Sequence, residues 1–292
     1  MTDALQQAGL AGEVLSPPPR GVLRRYPMVV LGGVLFVLVV LITLAAPWLA
    51  SHDPQDIDPI ARLRPPSAEH LLGTDALGRD VWSRTIYGGR ISLMVGVVVG
   101  LLASALGLAI GLISGYSRLA DAVVMRVMDG LMSIPAILLA IALMSVTRAS
   151  IFTVIIAITV VEIPRVVRLV RSVVLTLREQ TYVEAAVIAG TRPGRIIAKH
   201  ILPNTVAPLI VQTTYICAAA MLVESILSFL GAGTPPEVPS WGNIMAEGRT
   251  FFQIAPWLIL SPGLLLGLTV LAINLVGDGL RGALDPRIAR RM

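Results

Sequence analysis

The sequence predicts an all-α polytopic membrane protein with six transmembrane helices. Hydrophobic residues make up 55% of the 292 and charged residues only 14%, with a mean hydropathy of +0.80. Apolar stretches of membrane-spanning length recur along the chain, and basic residues cluster beside them. That placement accounts for the net charge of +5, so the basic balance points to topology and not to nucleic acid. The single cysteine, Cys217, lies in an apolar stretch and excludes an intrachain disulfide. His52, His70 and His200 are scattered without ligand spacing and read as interfacial or hydrogen-bonded histidines.

Residues 1–27 are a polar cytoplasmic tail carrying Pro17, Pro18 and Pro19, then Arg20, Arg24 and Arg25. Residues 28–50 are the first span; Ala45 and Ala46 imitate a cleavage site, but the apolar run is too long for a signal peptide. An external loop, 51–90, sets six acidic residues against five arginines, which sits awkwardly with the positive-inside rule. The second span, 91–115, carries Gly96, Gly100, Ser104, Gly107, Gly111 and Gly115 on one stripe, a close-packing face. Spans at 125–147 and 151–172 are joined by a tight turn at Arg148 to Ser150, and each contains a proline that bends it, Pro135 and Pro164. Such bends suit a gated path, and equally a kink held by packing.

The loop 178–204 is the most informative stretch. Thr181 and Glu184 have capping-box spacing, so a short helix starts there and ends at Gly190, which tolerates the left-handed conformation. Thr191 and Pro193 open a second short helix, closed by Pro203. Seven basic residues between Arg165 and Asn204 face two acids, which makes this side cytoplasmic. Spans at 205–230 and 256–277 flank an external Gly- and Pro-rich loop, and a basic tail, 281–292, ends the chain inside.

Chemistry is sparse. The only lysine, Lys199, follows Ala198 and not the glycine of a phosphate-binding loop. No nucleophile elbow, metal-ligand pair or dinucleotide fingerprint appears, so the chain reads as non-catalytic and carries no cofactor of its own. An ionisable group deep in the bilayer costs at least ~3 kcal/mol unless paired or hydrated. Arg126 with Asp129, and Glu162 with Arg165, have pairing spacing near span ends; Glu224 is alone in its span, to line a pathway or to bond a neighbouring helix. A bundle with so little ion-coupling chemistry takes its energy from a partner. The alternative is a stand-alone ion-coupled carrier using Glu162 and Glu224.

Glu184, Ala185, Ala186 and Gly190, followed by Leu202 and Pro203, resemble the EAA loop of bacterial ABC importer permeases; His200 stands where that pattern has isoleucine. Leu71 to Leu93, Ser228 to Met245 and Ile273 to Arg287 are similar to signatures of the second permease subunit of dipeptide, oligopeptide and nickel importers. The resemblance implies a type I importer (MetI-like) permease fold in the bacterial cytoplasmic membrane, with both termini cytoplasmic. It implies a second permease subunit, two ATP-binding subunits that hold ATP and Mg, and an extracytoplasmic solute-binding protein. It makes Thr181 to Ala189 a coupling helix seated on an ATPase, with Thr181, Val183, Glu184, Ala185, Ala186, Val187 and Gly190 as the coupling residues and Val183, Ala186 and Val187 as apolar contacts. Gly190 alone reads more simply as a turn. Asp75, Arg79, Asp80, Pro235, Pro236 and Trp241 are the candidates for contact with the binding protein, and Glu224 for the pathway.

Overall fold

The computed structural model describes residues 27–146, 150–235 and 237–284. Residues 1–26 and 285–292, most of the turn between the third and fourth spans, and Pro236 lie outside the described residues; the first four residues of the predicted basic tail, 281–284, are helix. Helix is the organising structure throughout, with one isolated bridge between Thr74 and Asp80. Helix α1 (Pro27–Leu44) leads into a short α2 (Ala46–Leu49), and α3 (Val81–Tyr116) comes after the first loop. Then come α4 (Arg118–Met132), α5 (Ala136–Ser145) and α6 (Ile151–Arg178). After the small helices α7 (Thr181–Ile188) and α8 (Pro193–Ile196) come α9 (Leu202–Phe229), α10 (Trp241–Gly248) and α11 (Trp257–Leu284).

Helix α3 is the central rod. Its 36 residues extend about 54 Å at 1.5 Å per residue, well beyond a hydrocarbon core of about 30 Å. It starts ten residues earlier than the sequence reading places the second span, because Asp80 caps it: the carboxylate accepts the Ser83 N–H and hydroxyl, both at 2.8 Å. The polar stretch from Trp82 to Arg90 is therefore helix, not loop.

The small-residue stripe works as expected, but it serves two neighbours. A Cβ on Gly107, Gly111 or Gly115 would fall 2.4, 2.6 or 2.7 Å from the Cβ of Val166, Val170 or Val174 on α6. Higher on the rod, a Cβ on Gly96 would meet Met221 of α9 and one on Gly100 would meet Cys217. Between the two sets, the hydroxyls of Ser104 and Thr213 are 2.7 Å apart. The main core gathers Val95, Val99 and Ala103 of α3 with Val154, Ile158, Val166 and Val170 of α6 and Ile216 and Ala220 of α9. Helix α1 lies against α11, where Gly32 approaches Leu275 and Gly279 approaches Val29.

The third predicted span is broken. Helices α4 and α5 meet at 91° across Ser133–Pro135. Pro135 has no N–H to donate and keeps Ile134 out of the helical region, so the turn is far sharper than a kink. Among the described residues, four helices are long and apolar enough to cross a membrane, or five if the bent pair counts as one. The fourth predicted span, α6, carries Glu162, Arg165 and Arg168 within its apolar stretch and does not meet that standard alone. Pro164 sits inside α6 without ending it.

At the interlock, Gly111→Leu forces a side chain into Val170, an overpacking cost of about 1–3 kcal/mol. A lowered melting temperature of the purified complex is expected. Gly33→Leu, where a Cβ meets nothing within 4 Å, should leave it unchanged.

Candidate functional site

The helix unit lies at the end of α3 remote from Asp80. Arg178, closing α6, donates to the carbonyls of Gly115 and Tyr116 at 3.0 and 3.1 Å, and its guanidinium sits 5.2 Å from the Tyr116 ring centre. Those carbonyls are orphans of the last turn of α3, so the contact satisfies the helix end and anchors the start of the helix unit to the rod.

Helix α7 starts at Thr181 as expected, but no capping box forms. Gln180 is the N-cap and makes no side-chain capping bond, which places Thr181 and Glu184 one position too far into the helix for reciprocal capping. The other end matches the sequence reading. Gly190 has φ +75°, its N–H reaches the Val187 carbonyl at 2.9 Å, and the Thr191 N–H reaches the Ala186 carbonyl at 3.1 Å. This is a Schellman cap. Pro203 does not close the second helix: α8 runs through a π-helical stretch, Ile197–Ile201, directly into α9. Widening the turn lets the Leu202 N–H reach the Ile197 carbonyl, five residues back, just before the proline removes a donor.

The apolar residues of α7 divide between two faces. Val183, 1% exposed, enters the main core with Ile196 and Ile201, and Ala186 packs against the same cluster. Val183 and Ala186 are thus inward anchors and not outward contacts. The exposed apolar face is Tyr182, Val187 and Ile188, the last 87% exposed, with Glu184 and Ala185 also exposed. Of these, the sequence reading singles out Val187 for apolar contact and misses Tyr182 and Ile188. The i, i+3, i+6 spacing of Tyr182, Ala185 and Ile188 is the available signal, but eight residues do not reveal which face turns inward. Arg192, Arg195 and Lys199 are exposed beside this face.

At the opposite end, the loop residues chosen for partner contact are mostly committed inside the chain. Asp75 is buried: one oxygen accepts the N–H groups of Leu77 and Arg79 at 2.8 and 2.9 Å, and the other accepts Arg79 Nε at 2.7 Å and a contact from Arg84. Both arginines also reach Glu247 of α10, Arg84 Nη2 at 2.9 Å and Arg79 Nη2 at 2.6 Å. Trp241 is fully buried against Gly89, donating its indole N–H to the Thr85 carbonyl at 2.9 Å. Pro235 is half-buried in a loop organised by the Asn243 amide, which donates to the carbonyls of Thr234, Pro235 and Val238. Asp75, Asp80 and Trp241 are therefore scaffold for this end and not surface contacts.

Glu224 is likewise enclosed. It accepts hydrogen bonds from Ser228 at 2.9 Å and Ser92 of α3 at 3.3 Å, so it bonds a neighbouring helix instead of facing an open path. Glu162 pairs with Arg165 at 3.1 Å as expected. Asp129 turns from Arg126 to Arg168 of α6, 2.6 Å away, and Arg171 grips Asp121 with one bond at 2.7 Å. The charges near the helix unit thus tie α4 to α6.

A bundle with a short helix packed beneath it and presenting an apolar face matches a known group. Residues 107–290 match the family model of the binding-protein-dependent transport system inner membrane component, and residues 21–66 match the N-terminal transmembrane domain of oligopeptide transport permease C. The chain belongs to this permease family. It is 56% identical to a probable peptide ABC transporter permease of Sinorhizobium fredii, over 92% of each chain. A dipeptide transport system permease of Alkalihalophilus pseudofirmus is 42% identical, covering 91% of this chain and 88% of its own. A probable D,D-dipeptide transport system permease of Escherichia coli is 41% identical, over 91% and 89%. The structure of the MetNI methionine ABC transporter contains a chain of the same fold, with TM-score 0.58 and 22% identity over 69% of this chain and 96% of that one. The family reading displaces the stand-alone ion-coupled carrier. The chain is a permease component of a binding-protein-dependent transport system.

Removing Arg84, the more buried of the two cations at the loop end, leaves Asp75 and Glu247 to share Arg79 alone. Arg84→Met is expected to cost about 3 kcal/mol, read as a loss of folded yield or melting temperature. Glu247→Gln should cost less, since Glu247 keeps 28% of its side-chain exposure while Asp75 keeps both arginines.

Proposed function

We propose that the chain forms half of the translocation pathway of an ATP-driven peptide importer, with the peptide delivered by an extracytoplasmic solute-binding protein. The observation that carries the mechanism is the two-faced α7. Val183 is locked into the core of α3, α6 and α9, while Tyr182, Val187 and Ile188 present an apolar patch to solvent. On this reading the patch seats in an ATPase groove as the coupling helix, and Arg192, Arg195 and Lys199 border it. Closure of two ATP-binding subunits displaces α7, and its buried anchors carry the displacement into the spans.

The orientation comes with this assignment. Helices α1, α3, the α4–α5 pair, α6, α9 and α11 make six passes, and both termini lie in the cytoplasm. The α4–α5 and α6 passes are lined by the second permease subunit, which shields their charges from lipid. ATP and Mg belong to the partner subunits, and this chain acts without catalysis, a cofactor or nucleic acid. The loop end faces the binding protein through its exposed apolar residues, including Ile57, Ile60 and Leu77, on the scaffold of Asp75, Asp80 and Trp241. The peptide assignment rests on the relatives named above.

The complex reconstituted in liposomes with its ATPase subunits and binding protein should take up peptide only with ATP. Uptake driven by an ion gradient without ATP would reject the proposal. Ile188→Asp should weaken ATPase retention about tenfold or more, since a carboxylate replaces an apolar anchor at the seat, with the permease fold unchanged. At Gly190 a Cβ meets nothing within 4 Å, yet φ +75° is hostile to a β-branched side chain. Gly190→Val should spare membrane insertion and ATPase binding but uncouple uptake from hydrolysis; Gly194→Ala, free of both constraints, is the control.

A further inference from the structure

Two histidines that are 18 positions apart in sequence meet at the loop end. His70 Nδ1 lies 3.0 Å from Asp80 Oδ1, and His52 Nδ1 lies 4.0 Å from the same oxygen. The two rings are 4.8 Å apart between centres, and one donor atom from each of the three residues falls within 4.8 Å of the others. His70 and Asp80 are buried and His52 is half-buried. His52 Nδ1 is itself shielded from solvent and has no hydrogen-bond partner. A buried polar atom without a partner carries a desolvation cost that some ligand normally offsets.

The spacing suits an ion. Two ligands about 2.0–2.1 Å from a tetrahedral metal stand about 3.3 Å apart; the two nitrogen–oxygen distances are 3.0 and 4.0 Å and the three donors lie within 4.8 Å, so an inward turn of His52 closes the set around an ion. Each ligand is also held from behind. Asp80 Oδ2 is occupied by the Ser83 N–H and hydroxyl, which fixes the carboxylate and leaves Oδ1 to face the histidines. The His52 backbone N–H donates to Ser83 Oγ at 3.2 Å, and the His70 backbone N–H donates to Ser67 Oγ at 3.1 Å. Two imidazoles with one carboxylate favour a borderline transition metal over calcium or magnesium, which prefer all-oxygen shells.

We propose that His52 Nδ1, His70 Nδ1 and Asp80 Oδ1 form a binding site for a divalent ion of the zinc class, with solvent in the remaining position. The ion clips the segment after α2 to the N-terminus of α3. His52, the half-exposed member, is its approach from solvent. The site does not depend on the importer reading, because it is tested by metal content and not by transport.

The test uses the assembled complex, purified without a polyhistidine tag, stripped with EDTA and titrated with Zn²⁺. One equivalent per permease chain above the His52→Ala complex is expected, removable by EDTA. Co²⁺ in its place should give the intense visible bands of a low-coordinate histidine–carboxylate site. His52→Ala should weaken binding by about tenfold or more, while His200→Ala, far from the cluster, should not change it. His52→Gln repeats the comparison if the alanine variant fails to assemble. Zinc bound equally by wild type and the His52 variants, or by neither, overturns the site and leaves a plain histidine–aspartate hydrogen bond.

Discussion

The close approach of α3 to α6 is the contact on which the rest of the molecule depends. Gly107, Gly111 and Gly115 receive Val166, Val170 and Val174 in matching steps of four, so two ridges of one turn per residue interlock along the rod. In lipid there is no hydrophobic gain from bringing two apolar helices together, and association rests on packing and polar contacts. Removing side chains on one helix and branching them on the other maximises that packing. The same rod meets α9 through Gly96 and Gly100, and the Ser104–Thr213 contact adds a hydrogen bond where water cannot compete.

Because α3 is one continuous helix, it links the two ends of the molecule directly. Arg178 docks on its last carbonyls and Asp80 caps its first turn. Helix α9 supplies a second continuous route. The helix unit passes into it through the π turn at Ile197–Ile201 without an intervening loop, and near its far end Glu224 bonds Ser92 of α3. On the proposed coupling role, a displacement of α7 would act on two rods tied together at Ser104–Thr213 and at Ser92–Glu224. The π turn marks the junction in that path, a rare single-turn feature within an otherwise α-helical run.

How much of this is legible from sequence depends on whether the determining partner is local. The glycine stripe, the stop at Gly190 and the break at Pro135 are readable, because each comes from one residue's own geometry. The early start of α3 is also signalled locally, by Asp80 and Ser83, but the charges of Arg84 and Arg90 disguise helix as loop. The Arg84 charge is held by Asp75, nearby in sequence, and by Glu247, more than 150 residues away. Shorter separations in sequence, across a turn or a loop, hide the true partner of Asp129 and the meeting of His52 with His70. Thr181 and Glu184 fail differently. Their spacing is right for a cap, but tertiary anchoring through Val183 sets the helix start at a register that capping alone does not choose.

The first loop carries five arginines, and the positive-inside rule counts them whatever acids stand beside them. Yet Arg79 and Arg84 are not free surface charges in the finished fold: both are held between Asp75 and Glu247, with Arg84 almost wholly enclosed. A buried ion cluster of this kind is weak as a source of net stability, since desolvation consumes most of its attraction, but removing one member is costly. Its value is specificity. It admits one arrangement of the first loop, the start of α3 and α10, and thereby fixes the platform that surrounds the histidine–aspartate cluster.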